Sequence, residues 1–313
     1  MHRPAIALLV VAGCLGAAAA AAAAPSRAAT PARGNFAGRI AIGGGRSLWL
    51  RCAGRGQPVV VLESGIHDSS DPWTLTQTRR PVTPTPAVFP GVARFTRVCM
   101  YDRPGTVRYT GPRPVLTTRS TPVAMPRTLT GMVRDLRTLL ARAHVPGPYV
   151  LAGHSYGGLI VRLFAQTHPS RTAGLVMLDA FGPPLQHLFG PLWPRYVARL
   201  NHPGTPIDAD PGFETVNTGE AFASVRRAPR LAAFPMVVVS KTEPFGVSPD
   251  FPVVLHTRLE AAWPRAQQAL VRLEPDTPHV YATGSDHYVQ MHAPDVSIAA
   301  IRLVVTRARG GGA

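Results

Sequence analysis

The stretch Gly147-Pro-Tyr-Val-Leu-Ala-Gly-His-Ser-Tyr-Gly-Gly158 determines how the rest of this 313-residue chain is interpreted. Its apolar first half ends at the letters GHSYGG, after which apolar residues recur at helical spacing until Pro169. This change of period predicts a strand, a sharp turn and a helix. Ser155 lies at the turn, with Gly153 two residues before it and Gly157 two residues after it.

The spacing of the two glycines around Ser155 has a steric reason. A serine held in a strained conformation between a strand and a helix leaves no room for side chains at these flanking positions. The hydroxyl is then presented above the carboxyl end of the strand, and the backbone N–H of Tyr156 faces the same place. The pattern therefore predicts a nucleophile with one oxyanion donor. A glycine-rich turn without chemistry is the alternative, since the chain contains 29 glycines.

With this strand, turn and helix, the chain resembles the α/β-hydrolases, in particular exported bacterial esterases, lipases and peptidase-like members. The resemblance covers about residues 36–307. It implies an α/β fold in one domain, residues 30–313, with a mostly parallel eight-stranded sheet and helices on both faces. A cap is expected after the sixth strand, at about residues 180–234. The resemblance also implies a triad in the chain order serine, acid, histidine.

The base of such a triad should follow the last strand. Of the 11 histidines, His287 is the one in a Gly/Ser-rich loop after the last predicted strand, His279–Ala282. Its surroundings, Ser285-Asp-His-Tyr-Val-Gln290, resemble the Ser-Gly-His-Tyr-Ile-Gln segment of relatives, with Asp286 in place of glycine. His154 directly precedes the nucleophile, and we expect its side chain to point away from the pocket.

Two carboxylates satisfy the expected chain order. Asp179 directly follows the predicted strand Gly174–Leu178, and Glu243 lies three residues past the predicted strand Pro235–Ser240. The resemblance favours Asp179, because an acid after the sixth strand recurs in close relatives. Glu243 is the alternative, and the carboxylate that is not used is expected to be a solvated loop residue.

A second oxyanion donor is needed for acyl transfer. The predicted strand Pro58–Glu63 is followed by Ser64-Gly-Ile-His-Asp68. The resemblance places the donor in this loop, at the backbone N–H of Ile66. This chain has Ser-Gly before that position, where many relatives carry His-Gly. The next two residues, His67 and Asp68, are interpreted as loop residues that form the wall of the substrate site.

The charge pattern argues against nucleic-acid binding. The formal net charge is +16, Lys241 is the single lysine, and the arginines are scattered between apolar residues without a cluster. A nucleic-acid-binding surface should concentrate its positive charge. The histidines lack metal-ligand spacing and no other glycine-rich phosphate loop opens a helix, so no cofactor or metal is expected.

The first 29 residues have the composition of a signal peptide. A short positive start, His2-Arg3, precedes an apolar run and an alanine tract that ends at Ala24. This pattern predicts secretion. Alternatively, Val11-Ala-Gly-Cys14 fits a lipobox, in which an acylated Cys14 would anchor the protein to the outer face of the cell membrane. Membrane association is expected only in that case.

Two cysteines remain after such a leader. Cys52 and Cys99 lie in strand-like runs, and in the resembled fold these are the neighbouring second and fourth strands. A disulfide fits an oxidising compartment. Buried free thiols fit the sequence equally well.

These features together predict a serine hydrolase that cleaves carboxylic esters by two-step acyl transfer through Ser155, Asp179 and His287. The aromatic residues of the expected cap indicate a small, hydrophobic ester or amide substrate. A peptidase or amidase with the same triad is one alternative. A non-catalytic binding protein that retains the fold is the other.

Overall fold

The computed structural model describes residues 34–77 and 85–311. The predicted leader and Cys14 lie outside this range. A sheet of eight strands forms the centre, in the order β1-β2-β4-β3-β5-β6-β7-β8. Strand β2 is antiparallel to β1 and β4, and the other neighbouring strands are parallel. The strands of this sheet are β1 Phe36–Gly43, β2 Arg46–Ala53, β3 Val59–Glu63, β4 Val98–Tyr101, β5 Tyr149–His154, β6 Thr172–Leu178, β7 Met236–Lys241 and β8 His279–Ala282. A separate two-stranded sheet is formed by Val107–Arg108 and Val115–Leu116.

Helices cover both faces of this sheet. Side chains of α2, α3 and α7 pack on one face, and those of α1 and α9 pack on the other. The predicted mostly parallel α/β architecture is therefore confirmed. Among the described residues, no helix is both long enough and apolar enough to span a membrane. The helices are α1 Val88–Ala93, α2 Leu129–Arg142, α3 Gly157–Thr167, α4 Pro184–Phe189, α5 Trp193–Asn201, α6 Thr218–Arg227, α7 Val253–Val271, α8 Val289–His292 and α9 Pro294–Gly310.

The central strands are apolar on both sides. In β3, Val59 and Val61 join the core under α2 and α3, whereas Val60 and Leu62 join the core under α1 and α9. Successive side chains of a strand point to opposite faces, so a strand covered on both sides must be apolar throughout. Because β3, β5, β6, β7 and β8 pair in parallel, their carboxyl ends lie at one edge of the sheet.

The segment between β6 and β7 contains α4, α5 and α6, and we refer to residues 180–234 as the cap. Its aromatic side chains pack mainly against one another. The Phe181 and Phe222 rings stack with centroids 5.5 Å apart, and the Trp193 and Phe222 rings are 5.4 Å apart. Offset or tilted ring pairs at such distances stabilise a packed layer. Most of the cap aromatics therefore hold the cap together.

A disulfide joins Cys52 of β2 to Cys99 of β4. The two residues are direct partners in the antiparallel ladder between these strands. The structure thus decides between the two alternatives that the sequence left open.

We expect replacement of both cysteines by alanine to lower the free energy of unfolding by about 2–4 kcal/mol, because the cross-link restricts the unfolded chain. Urea unfolding of the oxidised wild type and the double variant measures this difference. Reductant should leave the double variant unaffected. An unchanged unfolding midpoint in the double variant would contradict the prediction.

Candidate active site

The turn between β5 and α3 brings two backbone segments into close contact. Ser155 has a φ of 51°, which lies in the left-handed region of backbone conformation that residues other than glycine rarely adopt. A Cβ atom on Gly157 would lie 2.5 Å from the carbonyl oxygen of Glu63 and 2.6 Å from that of Ser64. A Cβ atom on Gly153 would lie 2.6 Å from the carbonyl oxygen of Gly157. Glycine is therefore required on both sides of Ser155.

His287 and Asp179 meet at the carboxyl edge of the sheet. The His287 Nδ1 atom lies 2.7 Å from Asp179 Oδ2, and the Asp179 side chain is fully buried. The other oxygen of Asp179 accepts hydrogen bonds from the backbone N–H of Lys241 at 3.1 Å and from Trp263 Nε1 at 2.9 Å. The carboxylate is thus held in one orientation, and the imidazole is oriented with it.

The alternative acid lies elsewhere. Glu243 is exposed, and its backbone N–H donates to the carbonyl oxygen of Ser285 at 3.0 Å. Its side chain is not among the ring or ion-pair contacts of His287 in the described residues. A third nearby carboxylate, Asp286, contacts His292 with a 2.7 Å distance between Oδ1 and Nδ1. Of these three acids, Asp179 is the one that the fold brings to His287.

His154 is directed into the site, so the prediction that it points away from the pocket is wrong. Its Nε2 atom lies 2.8 Å from the carbonyl oxygen of His287, and the two rings are 4.7 Å apart. Burial lowers the pKa of His154 well below its usual value, so the ring is neutral. A neutral ring that faces a carbonyl oxygen must donate its Nε2 proton. His154 thereby supports the loop that carries His287.

Ser155 and His287 line the same cavity, which has a volume of about 200 Å³. A larger cleft of about 810 Å³ borders on it, and we call the two spaces the inner cavity and the outer cleft. Both share His67 and Asp68 in their walls, which confirms the interpretation of these residues as wall residues. The cap and the segments after β7 supply apolar wall residues of the inner cavity, which include Phe181, Tyr196, Leu200, Phe245, Phe251, Leu259 and Trp263.

The two predicted oxyanion donors also belong to the inner cavity. Ile66 and Tyr156 both line it. Within residues 34–77 and 85–311, neither backbone N–H donates to a protein acceptor. The Tyr156 amide lies at the N-terminus of α3, and the Ile66 amide lies in the loop after β3. Backbone amides without a partner inside the protein are suited to bind an oxygen that gains negative charge.

A buried ion network around Arg103 holds the loop that contains Ile66. The Arg103 guanidinium donates to the carbonyl oxygens of Ser64 at 2.9 Å and Gly65 at 2.6 Å. Arg103 also pairs with Glu214 of the cap at 2.7 Å, and Glu214 Oε2 accepts from the backbone N–H of His67 at 2.8 Å. The loop is therefore fastened on both sides of Ile66.

The charges of this network are coupled. Burial alone would raise the pKa of Glu214, but the Arg103 guanidinium and the hydrogen bonds from Arg103 and His67 together hold this pKa below its usual value. Glu63 also pairs with Arg103 at 2.6 Å, yet burial dominates there and raises the pKa of Glu63 to about 7. Glu214 is therefore the permanent counter-charge of Arg103 near neutral pH.

The sequence does not mark Trp263 or Glu214 as site residues, because neither occurs in a recognisable motif. Trp263 is one apolar residue among several in α7, and Glu214 lies in the irregular part of the cap. Their roles depend on contacts with Asp179 and Arg103, which are far away in the sequence. In the described part of the chain, no group of His, Cys, Asp and Glu side chains is arranged to hold a metal ion.

Comparison with known proteins identifies the family. A sequence profile of the alpha/beta hydrolase family matches residues 59–300. The matched part contains β3 to β8 and each residue of the site described above. The chain therefore belongs to the alpha/beta hydrolase family.

Individual relatives are more distant. An uncharacterised protein of Schizosaccharomyces pombe is 39% identical over 94 residues, which are 30% of this chain and 15% of that protein. The uncharacterised protein YqjL of Bacillus subtilis is 25% identical over 164 residues, which are 49% of this chain and 62% of YqjL. The chain thus spans less than two thirds of either relative. A thermophilic esterase from Thermogutta terrifontis shares the fold with a TM-score of 0.54 and 20% identity, over 87% of this chain and 99% of the esterase.

We expect Asp179→Asn to lower the turnover of an ester substrate by about 10³–10⁴-fold. An asparagine N–H facing Nδ1 of His287 would favour the tautomer whose Nε2 already carries a proton. Glu243→Gln is the control and should retain turnover within about twofold, since exposed residues away from the reacting atoms contribute little. Steady-state rates with one p-nitrophenyl ester measure both. Equal activity of the two variants would contradict this assignment.

We expect Glu214→Gln to lower kcat about tenfold or more with little change in KM, because Arg103 loses its charged partner and the Ile66 amide its fixed position. Asp135→Asn is the matched control, since Asp135 also forms a buried pair with an arginine, Arg127, at 2.7 Å, but neither residue lines the inner cavity or the outer cleft. Both variants should lose stability in urea, and only Glu214→Gln should lose kcat. Equal losses of kcat would argue against a positioning role.

Proposed function

We propose that this protein is a serine hydrolase that cleaves carboxylic esters, with Ser155, His287 and Asp179 as its catalytic triad. The observation that carries the proposal is the 2.7 Å contact between His287 and Asp179 beside the cavity that Ser155 also lines. A serine hydroxyl is a poor nucleophile near neutral pH unless a base takes its proton, and the base needs a carboxylate to orient it. Both partners of the serine are present at the site.

The proposed reaction proceeds in two steps. His287 Nε2 takes the proton from Ser155 Oγ as this oxygen attacks the carbonyl carbon, and the amides of Ile66 and Tyr156 stabilise the oxyanion. His287 then gives the proton to the leaving alcohol, and an acyl ester remains on Ser155. In the second step a water loses its proton to His287 and attacks this ester, which releases the acid and restores Ser155. Asp179 stabilises the imidazolium in both steps.

The walls of the site support a hydrophobic substrate. The inner cavity is lined mainly by aromatic and aliphatic side chains, among them Phe245, Phe251 and Leu259. Apolar walls with a few polar groups are typical of small-molecule sites. The outer cleft then provides space for the part of the ester that the inner cavity does not hold. An exported or lipid-anchored location remains a further proposal that rests on the leader sequence alone.

We expect the wild type to hydrolyse p-nitrophenyl esters and Ser155→Ala to lose this activity by roughly 10⁴-fold or more. A fluorophosphonate probe should label the wild type once, at Ser155. Ser240→Ala is the control for labelling, because Ser240 is a buried strand serine whose hydroxyl contacts His279 at 2.8 Å, outside the cavity.

The same experiment separates the alternatives. Faster hydrolysis of p-nitroanilides than of the matched esters would indicate an amidase or peptidase. Absence of both labelling and hydrolysis in the folded wild type would indicate a binding protein that retains the fold, and would overturn the proposal.

A further inference from the structure

Asp68 lies beside the nucleophile but has no part in the proposed triad. It lines both the inner cavity and the outer cleft, and 2% of its surface is exposed. The position that a Cβ atom on Gly65 would occupy lies 3.2 Å from Asp68 Oδ2 and 3.2 Å from Ser155 Cβ. Because both atoms lie 3.2 Å from the same point, Asp68 Oδ2 and Ser155 Cβ cannot be farther apart than the sum of these two distances.

The hydrogen bonds of Asp68 are incomplete. The phenols of Tyr109 and Tyr288 lie near its carboxyl group and interact with it electrostatically. Its buried Oδ1 atom accepts from no donor within the described residues. A buried acceptor without a partner is costly in a protein, and natural structures keep few of them.

His67 leaves a second acceptor without a partner in the same wall. Its Nε2 atom lies 2.8 Å from the carbonyl oxygen of Leu200, and burial lowers the pKa of the ring, so the neutral ring carries its proton on Nε2. Nδ1 is then an acceptor, and it has no partner among the described residues. We call His67 and Asp68 together the acceptor wall.

The surrounding charges favour a neutral donor over a cation. Arg199 of the cap lines the inner cavity and forms an ion pair with Asp250. The Arg103 guanidinium acts on the Asp68 carboxyl through space more strongly than Glu214 opposes it. The whole chain has a net charge of +16, which disfavours approach of a cation. Burial raises the pKa of Asp68 to about 7, so the acid and the carboxylate are both present near neutral pH. A hydroxyl group can donate to the carboxylate and accept from the acid, whereas an ammonium group can only donate.

We propose that the acceptor wall binds a hydroxyl group of the substrate, so that the enzyme prefers esters with a hydroxyl near the scissile carbonyl. This inference rests on the proposed ester hydrolysis and adds a specificity-determining residue, Asp68. Sites built to bind a substrate hydroxyl discriminate strongly against the analogue without it, because the polar group of the protein then stays unpaired.

Two matched ester pairs test the inference and locate the hydroxyl. The acyl-side pair is p-nitrophenyl 3-hydroxybutyrate and p-nitrophenyl butyrate, and the alcohol-side pair is 2-hydroxyethyl butyrate and ethyl butyrate. Each kcat/KM is divided by the hydroxide-catalysed rate of the same ester, which removes differences in intrinsic reactivity. We expect the wild type to prefer the hydroxy ester of one pair by about ten- to a hundredfold.

In Asp68→Ala we expect the ratio of the two kcat/KM values to fall to within about twofold of one, because the acceptor is removed. In Asp68→Asn the ratio should fall less, because the amide keeps one carbonyl acceptor. Val247→Ala is the matched control, since Val247 lines both spaces without a polar group and should change both members of a pair alike. A preference retained in Asp68→Ala would overturn the inference.

The kcat/KM ratios of the wild type within each ester pair also test the proposed preference for a hydroxyl, without any variant. Hydrolysis of all four esters with no preference in either pair would overturn the inference and leave the proposed function intact. Hydrolysis of none of the four by a folded wild type would overturn both.

Discussion

The close contact between the turn at Ser155 and the loop after β3 is the constraint on which the rest of the site depends. Gly157 packs directly against the carbonyl oxygens of Glu63 and Ser64, so a methyl group there would overlap with the backbone. This contact sets the distance between the amides of Ile66 and Tyr156. A strained serine conformation persists only where the surrounding structure enforces it, and the parallel pairing of β3 with β5 provides that support.

Three hydrogen bonds position the groups around this turn. Asp179 receives bonds from Lys241 and Trp263, so the carboxylate cannot turn away from His287. His154 supports the backbone of the loop after β8. Each partner comes from a different strand end or helix, and the site therefore requires the assembled sheet. Preorganised groups of this kind avoid reorganisation when charge develops during a reaction.

The Arg103 network links the cap to the loop after β3. Glu214 belongs to the cap, yet its carboxylate contacts both the Arg103 guanidinium and the backbone N–H of His67. Because the pair is fully buried, loss of one partner would leave an uncompensated charge inside the protein. The packing of the cap and the geometry of the loop that contains Ile66 are therefore not independent. The same loop carries Asp68, which lines the inner cavity and the outer cleft.

By itself, the sequence determined the α/β architecture and the positions of Ser155 and His287 in their loops. These features depend on patterns that can be read along the chain. The spacing of apolar residues changes from that of a strand to that of a helix, glycine is required for steric reasons, and the elements follow one another in a fixed order. Only the tertiary structure placed Asp179 against His287 and left Glu243 exposed, since both residues follow a strand and only their positions in space differ. It also directed His154 into the site and joined Cys52 to Cys99. Pairings of this kind depend on strand register and side-chain direction, which no local pattern specifies.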